Sequence, residues 1–288
     1  MFDPRRHAVR PDLADSRLSN LLPDDHPVVD GALEQVIAPV VPLFVEPNAR
    51  SARASEVLLG EQVMVFEDRE GFSWCQVQAD SSVGYIPTAA LSPDVVEPSH
   101  RVGALRSFVY AAPDPESSVS AALSMGAQIQ VAGAEVDGFR CIGPDEWVFM
   151  DHLVTIDHRV SDPVAVAEMF LHTPFLNGGR SSLGLDGAGL VQLAFAACGR
   201  SLPREADLQA AEPLDWLDDC AGRDWEGGRR GDLVFWDAAC HAGIMVGSQH
   251  IIHASAQAMA VVVEPIAQAV VRIESSGGGR PTQLRRPT

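Results

Sequence analysis

The sequence predicts a multidomain chain in which two small all-β barrels precede an α+β domain. An internal repeat predicts the barrels, because LLGEQVMVFEDREGF at 58–72 is echoed by SMGAQIQVAGAEVDGF at 124–139. A change of pattern predicts the last domain, because two helical periodicities after residue 161 are followed by a series of strand patterns. The predicted parts are, in chain order, an N-terminal segment at 1–30, barrels at 31–95 and 96–160, and the α+β domain at 161–288.

The repeat has the length of a small barrel. Gly60 aligns with Gly126, about 66 residues later, which is too long a period for a solenoid. Both copies consist of short alternating segments broken by Gly, Pro, Asp or Ser, as antiparallel strands with one buried face do. The segments VGYIPTAAL at 83–91 and EWVFMDHL at 146–153 end the two copies in the same manner.

The charge of the chain excludes several classes of partner. With 39 acidic and 21 basic residues the formal net charge is -18, which repels nucleic acid and anionic lipid. The first 22 residues carry charge throughout and lack the apolar run of a secretory signal, and we expect no membrane-spanning segment. We therefore expect no nucleic-acid partner and no membrane partner.

The cysteines favour a reducing compartment. They are odd in number, scattered and without a CxxC pair, which argues against a disulfide framework and a zinc knuckle. The five are Cys75, Cys141, Cys198, Cys220 and Cys240. We expect a cytoplasmic protein without a cofactor.

The last domain begins with two predicted helices. SDPVAVAEMFLHTP at 161–174 combines an N-terminal cap and an early proline with helical spacing of apolar residues. The second predicted helix is AGLVQLAFAACG, ending at Gly199. The strands that we predict next are GDLVFWD at 231–237, HAGIMV at 241–246 and QHIIHAS at 249–255.

Position 187 is where a nucleophile would be expected. The start of a buried helix exposes a side chain to unpaired N–H groups and the positive end of the helix dipole, which stabilise a thiolate. This chain has Gly187 there. A nucleophile also needs a base and a group that orients the base, and His241 and His253 lie on adjacent predicted strands. If the turn around 247–248 has an odd number of residues, both imidazoles lie on the same face of the sheet. If it has an even number, they lie on opposite faces.

These motifs, in this order, resemble the NlpC family of papain-like cysteine peptidases. The resemblance is carried by HTPFLNGGRSSLGLDGAGLVQLAFAACGRSLPRE, GDLVFW, HAGIMV and IIHAS, and the preceding copies resemble bacterial SH3-like domains. Members of the family cleave the γ-D-glutamyl bond to a diamino acid in peptidoglycan peptides. The chain is similar above all to intracellular members that recycle murein peptides. The SH3-like copies place or recognise cell-wall peptides in such proteins, or act as spacers.

The resemblance implies roles for several residues. It makes His241 the base and His253 the orienting residue, and it places Asp186 against the amine of the substrate. It also suggests that Tyr85 of the first SH3-like copy reaches the peptidase cleft, although a tyrosine at the edge of a barrel core has the same pattern. Arg204 and Arg180 are candidate partners for a peptide carboxylate, or solvated loop residues.

The departures from the family pattern fall at the site itself. The family reads Asp-Cys-Ser-Gly where this chain has Asp186-Gly187-Ala188-Gly189, so the nucleophile and the next hydroxyl are absent. Phe175 stands in place of a site tyrosine, Asn177 in place of a tryptophan, and Ala206 in place of a serine. Four such losses predict a site that no longer hydrolyses. A single engineered replacement of the nucleophile is the alternative.

Other chemistry at the same residues has little support in the sequence. Cys198 lies eleven residues along the helix from Gly187, roughly 16 Å away, and Cys240 should point to the opposite face of its strand from His241. A zinc face of His241, His253 and Asp186 has no supporting motif, and GLDGAG lacks the Lys and Ser/Thr of a P-loop.

The sequence leaves three hypotheses about the function of the protein. The first is an inactive homologue of a γ-D-glutamyl-L-diamino acid endopeptidase that binds a murein-derived or similar short peptide. The second is an active murein-peptide hydrolase whose nucleophile was replaced, or one that uses His241 with water. The third is a non-enzymatic scaffold that binds an unknown protein.

Overall fold

The fold is taken from a computed structural model that describes residues 2–211, 213–215, 217–219, 225–238 and 240–288. Cys220 lies outside the described residues. The chain divides into two compact units, Met1–Ile156 and Asp157–Thr288. The first unit contains the N-terminal segment and both copies of the repeat, and the second contains the predicted α+β domain.

The first copy of the repeat forms a seven-stranded antiparallel sheet with the order β5-β4-β8-β7-β6-β3-β9. Two short strands before it pair in parallel. The strands are β1 (Ala14–Asp15), β2 (Val28–Val29), β3 (Ala32–Val36), β4 (Val40–Phe44), β5 (Arg53–Leu58), β6 (Gln62–Arg69), β7 (Phe72–Val77), β8 (Val83–Pro87) and β9 (Leu91–Ser92).

The second copy repeats this strand order with one interruption. Its strands are β10 (His100–Val102), β11 (Arg106–Tyr110), β12 (Val119–Ser124), β13 (Gln128–Ile129), β14 (Ala132–Val136), β15 (Phe139–Gly143), β16 (Glu146–Phe149) and β17 (Leu153–Thr155). They form the orders β12-β11-β16-β15-β14 and β13-β10-β17. The long strand β6 of the first copy therefore corresponds to two shorter strands, β13 and β14, in the second.

The first unit is held together by packing between the copies and by its N-terminal segment. Leu58 of the first copy is fully buried among Val102, Leu123 and other apolar residues of the second. In the N-terminal segment, Ala8 is buried against Trp74, and the Arg10 guanidinium lies 4.3 Å from the centre of that indole ring. The segment predicted as a separate part, 1–30, is therefore packed into the same unit as the repeat.

In the described part of the second unit, four α-helices pack with a six-stranded antiparallel sheet. The helices are α1 (Pro163–Met169), α2 (Gly187–Ala197), α3 (Ala206–Ala211) and α4 (Ile266–Ser275). The strands are β18 (Arg180–Ser181), β19 (Gly184–Leu185), β20 (Leu217–Asp219), β21 (Leu233–Trp236), β22 (His241–Met245), β23 (His250–Ser255), β24 (Ala260–Pro265) and β25 (Gln283–Pro287). The sheet has the order β20-β25-β21-β22-β23-β24, and β18 and β19 form a small separate hairpin.

The two predicted helices are present with shifted ends. α2 begins one residue before the predicted start because Asp186 caps it, and it stops before Gly199, whose φ of 75° suits glycine. α1 spans less than the predicted 161–174, since Asp162 caps its start and the helix ends at Met169. No described helix is both long and apolar enough to cross a bilayer.

Candidate functional site

Asp186 occupies the head of α2 and uses its whole carboxylate there. Oδ1 accepts hydrogen bonds from the Gly189 N–H at 2.8 Å and from Arg204 Nη1 at 3.0 Å. Oδ2 accepts from the Gly178 N–H at 2.9 Å and from Arg204 Nη2 at 2.7 Å. Four bonds fill the lone pairs of a carboxylate. Asp186 is therefore an N-cap and an ion-pair partner, and it has little capacity left for a substrate amine.

Arg204 is committed to this ion pair. Its side chain is only 3% exposed, and besides Asp186 it donates to the Gly179 carbonyl at 3.2 Å. Burial alone lowers the pKa of the guanidinium, but the Asp186 carboxylate outweighs it and raises that pKa above its ordinary value. Arg204 is therefore not a solvated loop residue, and its role toward a peptide carboxylate stays a prediction. Arg180 is buried in β18, so it is not a solvated loop residue either.

Gly187 has no space for a side chain in this structure. A Cβ added to it would lie 2.6 Å from the Ala242 carbonyl oxygen and 2.7 Å from His241 Nδ1. Real Cβ contacts are longer, so the imidazole or the strand must move before any other residue fits. The side-chain position of a nucleophile is therefore filled by the neighbouring strand and its histidine.

His241 and His253 lie together on one face of the sheet. The register pairs Ile244 with Ile252 and Met245 with Ile251, so an odd number of residues forms the turn. His241 Nε2 lies 2.7 Å from His253 Nδ1, and the two rings meet edge to face. The structure thus brings together the two histidines that the sequence analysis selected.

The chain of contacts continues to two residues that the sequence analysis missed. His253, 1% exposed, places Nε2 2.6 Å from Glu264 Oε1. Glu264 in turn accepts two hydrogen bonds from the Arg272 guanidinium, one of them 2.5 Å long at Oε2. We call this set, His241, His253, Glu264 and Arg272, the histidine relay. The sequence analysis predicted no element after residue 255, although the β-branched run AVVVEP and the amphipathic segment IAQAVVRIES, which supply Glu264 and Arg272, are typical of a strand and a helix.

Burial and neighbours shift the pKa values within the histidine relay. Burial has the largest effect on the pKa of His241, which is lowered to about 3, and the charge of Arg272 acts in the same direction. Burial raises the pKa of Glu264, but the hydrogen bonds from His253 and Arg272 have the larger combined effect and lower it to about 2. At neutral pH the relay therefore contains an uncharged His241 and an ionised Glu264.

An open cleft of about 920 Å³ lies where the head of α2 meets the relay. It is large enough for a small-molecule or short-peptide ligand. Of the residues predicted for the site, it is lined by Phe175, Asp186, Gly187, Ala188, Arg204, Ala206, His241 and His253. Tyr85 belongs to the first unit, where its hydroxyl accepts a hydrogen bond from Arg10 at 3.2 Å.

The strand argument does not apply to Cys240. The strand β22 begins at His241, and Cys240 precedes it in the left-handed region with a φ of 45°. Alternation along a strand therefore does not apply, and the exposed Cys240 lines the same cleft as His241. Its Sγ lies 3.6 Å from the Asp237 carbonyl oxygen, to which it donates.

Two family models match the chain. The model described as bacterial dipeptidyl-peptidase SH3 domain matches residues 43–91, and the NlpC/P60 family model matches residues 172–275. Dipeptidyl-peptidase 6 of Lysinibacillus sphaericus is 23% identical over 247 residues, which cover 76% of this chain and 86% of that protein. The gamma-D-glutamyl-L-lysine dipeptidyl-peptidase of Bacillus subtilis strain 168 is 32% identical over 102 residues, covering 32% of this chain and 31% of that protein.

A solved structure extends the likeness over both units. An NlpC/P60 family protein from Bacillus cereus ATCC 10987 aligns with a TM-score of 0.71 at 16% identity, covering 89% of this chain and 99% of that chain. Identity this low shows the fold alone, and it confirms the predicted class of SH3-like domains followed by an α+β domain. The chain therefore carries a bacterial SH3 domain at 43–91 and an NlpC/P60 family domain, a domain of peptidoglycan-peptide hydrolases, at 172–275.

Proposed function

We propose that the NlpC/P60 domain of this chain binds a short peptide of the peptidoglycan type and does not hydrolyse it. The observation that carries the proposal is Gly187 at the head of α2, with His241 Nδ1 2.7 Å from the place of a Cβ. Loss of a nucleophile from a catalytic triad costs on the order of 10⁶ in turnover. The cleft of about 920 Å³ supports retained binding, because it is open and of ligand size.

The names of the relatives suggest the class of peptide. Two are dipeptidyl-peptidases, one of them acting on a gamma-D-glutamyl-L-lysine bond. We infer that the ligand contains L-Ala-γ-D-Glu joined to a diamino acid, as in peptides released during turnover of the cell wall. We also infer a cytoplasmic location, supported by the scattered cysteines and by the charge of -18.

The first experiment measures hydrolysis. The full-length protein is incubated with L-Ala-γ-D-Glu-meso-diaminopimelate and with the L-lysine analogue, and products are quantified by mass spectrometry. We expect no release above the rate without protein. Release that scales with protein concentration would contradict the proposal. Its loss in Cys240→Ser would then make Cys240 the nucleophile, whereas its persistence would indicate water activated by His241.

The second experiment measures binding in the cleft. Calorimetry with the same tripeptides should give saturable binding to the wild-type protein. Ala256 is an exposed residue of the cleft, and Ala256→Trp should weaken binding at least about tenfold by filling it. Ala196→Trp is the matched control, because Ala196 is exposed on α2 and does not line this cleft. We expect it to bind as the wild type does.

Two other outcomes would replace the proposal. A cysteine codon at position 187 in the source gene would favour an active hydrolase with a replaced nucleophile. Absence of binding at millimolar concentrations of both tripeptides would favour the protein-binding scaffold.

A further inference from the structure

The charged end of the histidine relay determines which atoms carry protons. Arg272 can only donate hydrogen bonds, so the Glu264 oxygens that face it accept. An ionised Glu264 has no proton to give, and the atom of His253 that faces it, Nε2 at 2.6 Å, must therefore carry one. The tautomer of His253 follows from this contact.

The tautomer of His253 in turn determines that of His241. His253 is 1% exposed, and Arg272 already balances the charge of Glu264, so a second proton on the imidazole would leave an uncompensated buried charge. A neutral imidazole carries a single N–H, so His253 Nδ1 is an acceptor once Nε2 is protonated. The 2.7 Å contact between the rings then requires a proton on His241 Nε2. His241 Nδ1 is left with a bare lone pair. That atom faces the head of α2, since it lies 2.7 Å from the place of a Cβ on Gly187.

We propose that Glu264, held by Arg272, is a positioning residue that fixes His241 as a hydrogen-bond acceptor, so that the bound ligand presents an N–H or O–H donor to the cleft at the head of α2. An amide N–H of a peptide meets this requirement, and a carboxylate does not. This inference rests on the proposed function for its statement about the ligand. Its statement about the tautomers concerns the free protein and stands separately.

Several charged or titratable groups surround His241. The sheet supplies His253 and Glu264, and α4 supplies Arg272. The Asp186 and Arg204 side chains at the head of α2 neutralise each other. Burial and the charge of Arg272 lower the pKa of His241 to about 3, although Glu264 acts in the opposite direction. The Nδ1 atom of His241 therefore stays unprotonated at pH 7.

The first test uses the free protein. Long-range ¹H–¹⁵N spectra of the histidine rings at pH 7, assigned with His241→Gln and His253→Gln, report which nitrogen carries the proton. We expect Nε2–H for both rings in the wild type. Glu264→Gln supplies an amide N–H toward His253 and should shift both rings at least partly to Nδ1–H. Glu274→Gln, an exposed change on the same helix, should leave the spectra unchanged. Wild-type His241 with its proton on Nδ1, or identical spectra for Glu264→Gln, would overturn the proposal.

The second test examines the ligand. The tripeptide L-Ala-γ-D-Glu-diaminopimelate is compared with an ester analogue in which oxygen replaces the amide N–H before the diamino acid. We expect the ester to bind the wild type about tenfold more weakly, and the difference to shrink in Glu264→Gln. Equal affinities in the wild type would overturn the assignment of a donor. Absence of binding for both compounds would contradict the proposed function, while the spectra of the free protein would still decide the role of Glu264.

Discussion

The sheet side and the helix side of the cleft differ in which residues of a peptidase site they retain. The sheet side carries His241 and His253 in hydrogen-bond contact, extended by an ion pair between Glu264 and Arg272. The helix side has Gly187 where a nucleophile would be expected. The relay consists of mutually bonded side chains, of which His253 is buried and the others are half-buried. It also stabilises the fold, because removing one member deprives another of a hydrogen-bond partner. A nucleophilic side chain contributes to chemistry and little to stability, so its loss leaves the fold intact.

Asp186, on the helix side, is also a site residue that is retained and has a structural role. It has the position of a substrate-binding residue, yet it also caps α2 and neutralises the buried Arg204. These structural roles persist whether or not a substrate is bound. We therefore expect large losses of stability when residues with bonded partners are replaced, and a smaller loss when Gly187 is replaced.

The largest effect is expected for Asp186→Ala. It removes the carboxylate that pairs with Arg204, which is 3% exposed, and it removes the cap of α2. Breaking a buried ion pair from one side costs about 3–5 kcal/mol, and we expect the free energy of unfolding to fall by that amount. Hydrogen exchange of α2 peptides in increasing urea measures this loss.

Asp162→Ala provides the matched control. Asp162 also caps a helix, α1, and also pairs with an arginine, Arg230, but both side chains are about 40% exposed, at 39% and 42%. An exposed pair contributes little, so the expected loss is about 1 kcal/mol and comes from the cap. Equal losses for Asp162→Ala and Asp186→Ala would mean that Asp186 does no more than cap its helix.

A smaller effect is expected for Gly187→Ala. Alanine favours a helix over glycine by about 0.5–1 kcal/mol, but the added Cβ would meet Ala242 and His241 at 2.6 and 2.7 Å. Overpacking costs about 1–3 kcal/mol, so we expect a net loss of free energy of unfolding. Gly247→Ala is the control, because a Cβ there meets no atom within 4 Å, and its effect should stay within about 0.5 kcal/mol. A stabilised Gly187→Ala would show that the space for a nucleophile is still open.

The sequence predicted the histidines of the site better than its ion pairs. The parity of a turn fixes whether His241 and His253 share a face, and Asp186 before a helical pattern identifies a cap. Arg204 lies 18 residues from Asp186, and whether it bonds that residue or a ligand depends on how the loop between them folds. Glu264 was missed for a similar reason. The register pairs His253 with Val262, so Glu264 reaches His253 diagonally across β23 and β24. Such long-range contacts have no periodic signature.

The last prediction concerns the dependence of stability on pH and tests the sheet side alone. His241 has a pKa of about 3 in the folded protein and an ordinary value near 6.5 when unfolded. Between these values the unfolded chain binds a proton that the folded protein does not, so stability falls as the pH decreases from about 6.5. One proton limits this slope to about 1.4 kcal/mol per pH unit. Glu264, with a pKa lowered to about 2, adds a loss of the same sign only below pH 4.5, its ordinary value.

The variant His241→Gln separates the two contributions. Urea unfolding is followed for the transition that Asp186→Ala lowers, because that transition reports the second unit. Above pH 7.5 the difference between wild type and His241→Gln measures lost packing and hydrogen bonding, since His241 is uncharged in both states of the chain. Between pH 6.5 and 4.5 the wild type should lose stability faster than the variant, so their difference should narrow. Parallel curves over this range would mean that His241 charges as readily in the folded protein as in the unfolded chain, and the sheet side would then lack the buried, bonded character that distinguishes it from the helix side.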